Sequence, residues 1–253
     1  MIARAKRLLA PLGGVLLALV VWNFVAISIG DTARLIPTPM VAVERCVALL
    51  MSGDINADIE ATLWRWLTGF ILAVAVGAPA GLFVGASEFV RRSLSIVIDF
   101  LRSLPVTALF PVFLVFFGVG NTAMIAMSFS ATVFIIIVHA VYGIQSAPLT
   151  RANMARSFGA RPWQIFWRIS AMEALHHIFV GMRTTLSLSL IVAVVSEMFI
   201  GASHGLGQRL YLSYQLSQVG DLYALILIVG TLGMIANWLF SRLERRTIYW
   251  IYP

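Results

Sequence analysis

The chain has 253 residues, 60% of them hydrophobic and only 11% charged. Soluble domains carry about 25% charged residues, so a soluble globular domain is excluded. The single cysteine, Cys46, excludes an internal disulfide. The net charge of +7 would suit nucleic acid, but its distribution along the chain reads differently.

Apolar runs of about 18 residues or more mark membrane helices. Six spans are expected, at about 8–29, 59–86, 94–117, 121–144, 171–200 and 222–241. Arg4, Lys6 and Arg7 precede the first run and no Ala-x-Ala-type site closes it, so it reads as a retained helix. With the N-terminus inside, twelve arginines and lysines fall in cytoplasmic segments and three (Arg34, Arg45, Arg209) outside. That asymmetry places both termini in the cytoplasm. The net charge is therefore a topology signal and calls for no nucleic-acid partner. The fold class is an all-α polytopic membrane protein. It forms a single domain over 1–253, with a first helix and external segment over 1–58 and a core over 59–245.

In span two, Gly77, Gly81 and Gly85 recur every four residues, a spacing that lets a second helix approach closely. Arg65 lies about two turns below the outer end of that span. In span three, Pro105 and Pro111 should kink or break the helix. Broken membrane helices often line cavities, which makes Ser103 and Thr107 pore candidates. Asp99 and Arg102 are three apart and can pair as a structural or gate element. In span five, Arg183 and Glu197 are further intramembrane charges, and such charges are functional candidates by default. Glu197 and Arg65 lie at similar depth. They can pair, or each can reach the interface separately. His176 and His177 are adjacent and lack helical metal-site spacing, so no metal site is expected. Trp22, Trp64, Trp66, Trp238 and Trp250 fall near span ends and read as interfacial belts.

The segment 146–170 interrupts this apolar pattern on the cytoplasmic side. Ser146 can cap a helix and Pro148 suits its first turn. Gly159 is a natural stop, and Pro162 starts a second helix leading into span five. Phe158 and the arginines stand out from a turn whose small residues expose backbone, as in a docking knob or an amphipathic interfacial loop.

From Asn153 the segment runs Asn-Met-Ala-Arg-Ser-Phe-Gly-Ala-Arg-Pro-Trp-Gln-Ile-Phe, and Gly181, Met182 and Arg183 follow in step. It resembles the cytoplasmic signature of binding-protein-dependent ABC importer permeases, in particular the sulfonate, taurine and nitrate branch. "IPTPMVAV", "TLWRWLTGFILAVAVGAPAGLFVG", "LRSLPVTALFPVFLVFFGVG" and "VAVVSEM" are similar to further collinear segments of that family. The family's glutamate is Asn153 here, and its two prolines fall at Met172 and His176, so a straighter entry to span five is expected.

The resemblance implies a type I importer permease fold in a bacterial inner membrane. It implies coupling to an ATPase through Ala152, Met154, Ala155, Arg156, Phe158, Gly159 and Ala160. The candidates for a path or gate are the intramembrane and break residues Arg65, Asp99, Arg102, Ser103, Pro105, Thr107, Arg183 and Glu197, and Arg65 and Glu197 also resemble charged positions of the family. Two ATP-binding subunits would carry ATP and Mg, since this chain has no phosphate-binding loop and is expected to bind no cofactor and to catalyse nothing itself. A second permease copy or a paralogue, an external solute-binding protein and membrane lipid complete the expected partners. The alternative is a secondary transporter or channel driven by an ion gradient. It predicts an internal repeat and more mid-membrane carboxylates, and the sequence has neither.

Overall fold

The computed structural model describes residues 2–33 and 36–249, with side chains for 13–28 and 36–249. The side chains of Arg4, Lys6 and Arg7, and the residues Arg34 and Trp250, lie outside the described residues. Every described element is helical.

The core is built on α3 (Asn56–Ala86), α6 (Asn121–Gln145) and α9 (Ala171–Ile200). α3 and α6 run parallel and in step. Gly69 meets Ser128, Gly77 meets Val133 and Ile136, Gly81 meets Ala140, and Gly85 meets Ile144. The glycine stripe thus packs α3 tightly, as its spacing implied, and it extends up to Gly69. A Cβ on Gly81 would stand 2.5 Å from the Ala140 Cβ and 2.6 Å from the Ile137 carbonyl oxygen. α9 returns antiparallel to α6, with Gly143 against Ala174 and Gly181 against His139. α11 (Val219–Thr247) lies along the other side of α9, where Gly233 meets Leu190 and Phe240 meets Phe179.

Span three is a bent pair rather than a continuous helix over 94–117. α4 (Glu88–Ser103) starts earlier and is amphipathic, and α5 (Phe110–Phe117) follows after a short 3-10 turn over Val106–Leu109. The two halves are bent by 80°. Pro105 is the cause, because the residue before a proline is driven out of the helical region. Leu104 accordingly sits at φ −68°, ψ 129°.

Among the described residues, four stretches are long and apolar enough to cross a membrane: α3, α6, the continuous run Pro162–Ile200 and α11. The bent pair makes a fifth. α1 (Ile2–Ala33) adds a shorter described apolar stretch, Gly13–Ser28. α2 (Pro39–Ser52) follows α1 in the chain and packs chiefly against α11, with Ala42 buried and with Cys46 and Leu49 packed on the core. Trp22 donates its Nε1–H to the Pro37 carbonyl at 3.0 Å and stacks on Tyr223, an arrangement suited to a membrane interface.

One aromatic departs from the belt reading. Trp66 is only 2% exposed, and its Nε1–H donates to the Leu186 carbonyl and the Ser189 hydroxyl. It is a core residue that ties α3 to α9, because a buried indole N–H must find an acceptor.

Replacing Gly81 by Leu will force α3 and α6 apart, and overpacking of this kind costs about 1–3 kcal/mol. Gly230→Ala, where an added Cβ meets nothing within 4 Å, will be neutral or slightly stabilising. Thermal unfolding of the two variants in detergent checks the contrast.

Candidate functional site

A polar network closes the outer end of the core. α9 ends at Gly201, and after a short loop α10 (Leu206–Gln215) begins. Gly205 stands at φ +150°, a conformation that side chains rarely adopt. The first backbone N–H groups of a helix have no partner within it. Here three buried side chains from other helices take them. Asp58 Oδ1 accepts from Gly205 N–H at 2.9 Å, Thr62 Oγ1 from Leu206 N–H at 2.9 Å, and Glu197 Oε2 from Gly207 N–H at 2.9 Å. Thr62 also donates its hydroxyl to Glu197 Oε2 at 2.9 Å.

Arg65 completes the network. Its Nη1 lies 2.7 Å from Glu197 Oε1 and donates to the His204 carbonyl at 2.7 Å, while its Nε donates to Asn121 Oδ1 at 2.8 Å. The side chains of Arg65 and Glu197 are 5% and 0% exposed. Arg209 reaches back from α10 to Asp58 Oδ2 at 3.1 Å, and the His204 ring lies 3.8 Å from Asp58. The arrangement clamps α10 onto α3 and α9, with α6 contributing Asn121. Neither Arg65 nor Glu197 reaches an interface separately. Gly207 is required at its position, because a Cβ there would overlap the Val194 carbonyl.

The sequence pointed to Arg65 and Glu197 but not to Asp58, Thr62, Asn121 or Arg209. A signal existed: Asp58, Thr62 and Arg65 recur on one helical face at the head of an apolar run. What they would hold could not be read from it.

The cytoplasmic segment forms an elbow. α7 runs Leu149–Ser157. Its N-cap position is Pro148, and Ser146 instead ends α6, donating its hydroxyl to the Gly143 carbonyl at 2.9 Å. The expectation that Ser146 caps α7 is therefore corrected, since the turn places it before the helix rather than at its head. The stop is as expected. Gly159 has φ +80°, its N–H donates to the Arg156 carbonyl, and the Ala160 N–H donates to the Ala155 carbonyl. That pair of bonds is the Schellman ending of a helix. Phe158 projects from it at 88% exposure, and Met154 is also exposed. α8 (Pro162–Ile165) starts at Pro162, with the Arg161 N–H held by Gln164 Oε1. A π-turn over Phe166–Ser170 joins α8 to α9 without a break, through Met172 and His176.

The remaining charged candidates are not gathered with the clamp. Arg102 pairs with Asp99 on α4 at 2.8 Å, and both are exposed. Ser103 donates its hydroxyl to the Asp99 carbonyl, and Pro105 and Thr107 lie in the break. Arg183 is half-exposed and stands 3.9 Å from the buried Glu244 of α11, a partner the sequence did not suggest. On α9, Arg183 is 14 residues from Glu197, about 21 Å along the axis.

Residues 77–249 match the family of binding-protein-dependent transport system inner membrane components, and the chain belongs to that family. It is a multi-pass membrane component of a transport system, not a catalytic subunit. A probable ABC transporter permease of Brucella melitensis is 30% identical over 86% of this chain and 88% of its own length. The nitrate import permease NrtB of Synechocystis is 25% identical over 95% of this chain and 89% of its own. The fold is that of a chain in the inward-facing MetNI methionine ABC transporter, with a TM-score of 0.65 and 19% identity over 80% of this chain and 98% of that one.

Glu197→Ala leaves the Arg65 guanidinium buried without its carboxylate and frees the Gly207 N–H. Breaking a buried pair from one side costs about 3–5 kcal/mol. The variant will show a lowered unfolding midpoint, and hydrogen exchange of the Gly205–Gly207 amides will accelerate. Arg102→Ala, which breaks only an exposed pair, will shift the midpoint little.

Proposed function

We propose that the chain is the permease subunit of an ATP-driven importer in a bacterial inner membrane. It takes a small anion of the nitrate or sulfonate type from an external solute-binding protein. The observation that carries this reading is the continuity of the run Pro162–Ile200, 39 residues long. At about 1.5 Å per residue it is a rod of about 58 Å. One end is the glycine-stopped elbow, and the other is the clamp on α10.

In this reading two ATP-binding subunits hold ATP and Mg and grip the elbow at Ala152, Met154, Ala155, Arg156, Phe158, Gly159 and Ala160. Their closure moves the rod as a rigid body. The clamp at Glu197 and Arg65 then carries α10 with α9 and α3, so the outer mouth moves with the elbow. Arg65 and Glu197 act as support for an outer gate rather than as substrate ligands, because each already satisfies the other. The path runs past the polar edge of α4 and the break, at Asp99, Arg102, Ser103, Pro105 and Thr107, and past Arg183 on α9. A second copy or a paralogue supplies the opposite wall. The small-anion assignment is supported by the relative named for nitrate and by the sequence resemblance.

Gly159→Val strains the helix stop by about 1 kcal/mol or more. It will leave membrane insertion intact while uncoupling ATP hydrolysis from uptake. Full uptake with normal ATPase association in this variant would overturn the coupling role. Cysteines placed at Thr38 or Gln215 will cross-link to the binding protein, and the absence of adducts from both sites in an intact complex counts against an external docking face there. Glu197→Ala will reduce substrate-stimulated ATP hydrolysis in the assembled transporter.

A further inference from the structure

A cavity of about 180 Å³ lies between the inner ends of α3, α4 and α6. It is large against the ~30 Å³ share of one water. Of its lining residues the transport reading above uses only Asp99. Its lining is two-sided. Arg91, Ser95, Asp99, Tyr142 and Gln145 supply the polar side, and Val84, Ile98 and Val141 are among the apolar residues. The arginine distribution puts this end of the helices at the cytoplasmic face. Tyr142, 60% exposed, is a residue suited to the headgroup level.

The charges favour an anion at the mouth. α4 carries Arg91, Arg92 and Arg102 against Glu88 and Asp99. The Asp99 carboxylate is already answered by Arg102 at 2.8 Å. Arg91 is held by a neutral acceptor. With the Gln145 amide oxygen turned toward it, Gln145 accepts from Arg91 Nε at 2.7 Å and Nη1 at 3.2 Å. Arg91 Nη2 forms a loose ion pair with Glu88 Oε1 at 3.9 Å, beyond hydrogen-bond range, so its N–H groups make no hydrogen bond there. The guanidinium is thus fixed in direction while one edge keeps donors to offer.

We propose that this cavity is a site for the phosphodiester headgroup of an inner-leaflet phospholipid, bound by Arg91 with Tyr142. The acyl chains follow the apolar wall upward. α4 has no buried residue of its own. A headgroup bridging Arg91 on α4 and Tyr142 on α6 ties this helix to the core. The same phosphate chemistry could come from free phosphate, and the experiment separates the two sources.

Wild-type protein in neutral detergent is titrated with phosphatidylglycerol, and in parallel with inorganic phosphate, while the thermal unfolding midpoint is followed. Native mass spectrometry counts retained lipid. The expected result is a saturable upward shift with phosphatidylglycerol and about one retained lipid per chain. Arg91→Gln weakens the apparent affinity by about five- to tenfold, the effect of one arginine near a headgroup. Tyr142→Phe weakens it less. Arg92→Gln, whose side chain is 75% exposed and outside the cavity lining, leaves it unchanged. Equal losses in Arg91→Gln and Arg92→Gln would mean diffuse surface attraction and overturn the site. Saturation by inorganic phosphate over the same concentration range would overturn the lipid source.

Discussion

In hydrocarbon a backbone N–H without a partner costs several kcal/mol, and irregular chain survives there only where something else satisfies it. The segment between α9 and α10 is irregular chain packed against the core. Its amides at Gly205, Leu206 and Gly207 are taken by Asp58, Thr62 and Glu197. Those side chains bring two buried carboxylates, and Arg65 answers Glu197 at 2.7 Å while Arg209 answers Asp58 at 3.1 Å. The clamp is therefore a sequence of obligations: an interrupted helix needs acceptors, a buried carboxylate needs a cation, and the cation's remaining donors need Asn121 and the His204 carbonyl. Each step fixes another helix in place.

The inner side solves a different problem with different means. Water is available there, so α7 can end on a glycine with exposed side chains around it. The elbow is rigid because its last carbonyls are closed by the Gly159 and Ala160 amides. In the proposed reading, a rigid projection joined to a continuous rod transmits displacement, whereas a flexible one would absorb it. The glycine contacts between α3 and α6 serve the same end, since helices packed at backbone distance move together.

α4 stands apart from this rigid body. It buries none of its residues, and it carries an ion pair and several polar side chains along an amphipathic surface. A helix of this kind needs partners that the single chain does not supply, whether water in a path, another subunit or a lipid headgroup.

Composition and hydropathy alone determined the helical membrane class, because the cost of burying polar backbone leaves few alternatives. The elbow was legible for a local reason: Gly159 and Pro162 act through their own dihedral angles, and their effect needs no distant partner. The break in span three was legible at Pro105 for the same reason. The tertiary structure alone decided that Arg65 and Glu197 meet, 132 positions apart, since opposite charges at similar depth do not specify azimuth. It also decided that Trp66 is core rather than interface, that Ser146 ends α6 rather than starting α7, and that Arg183 faces Glu244. In each case the side chain could serve two environments, and only the packing of another helix against it chose between them.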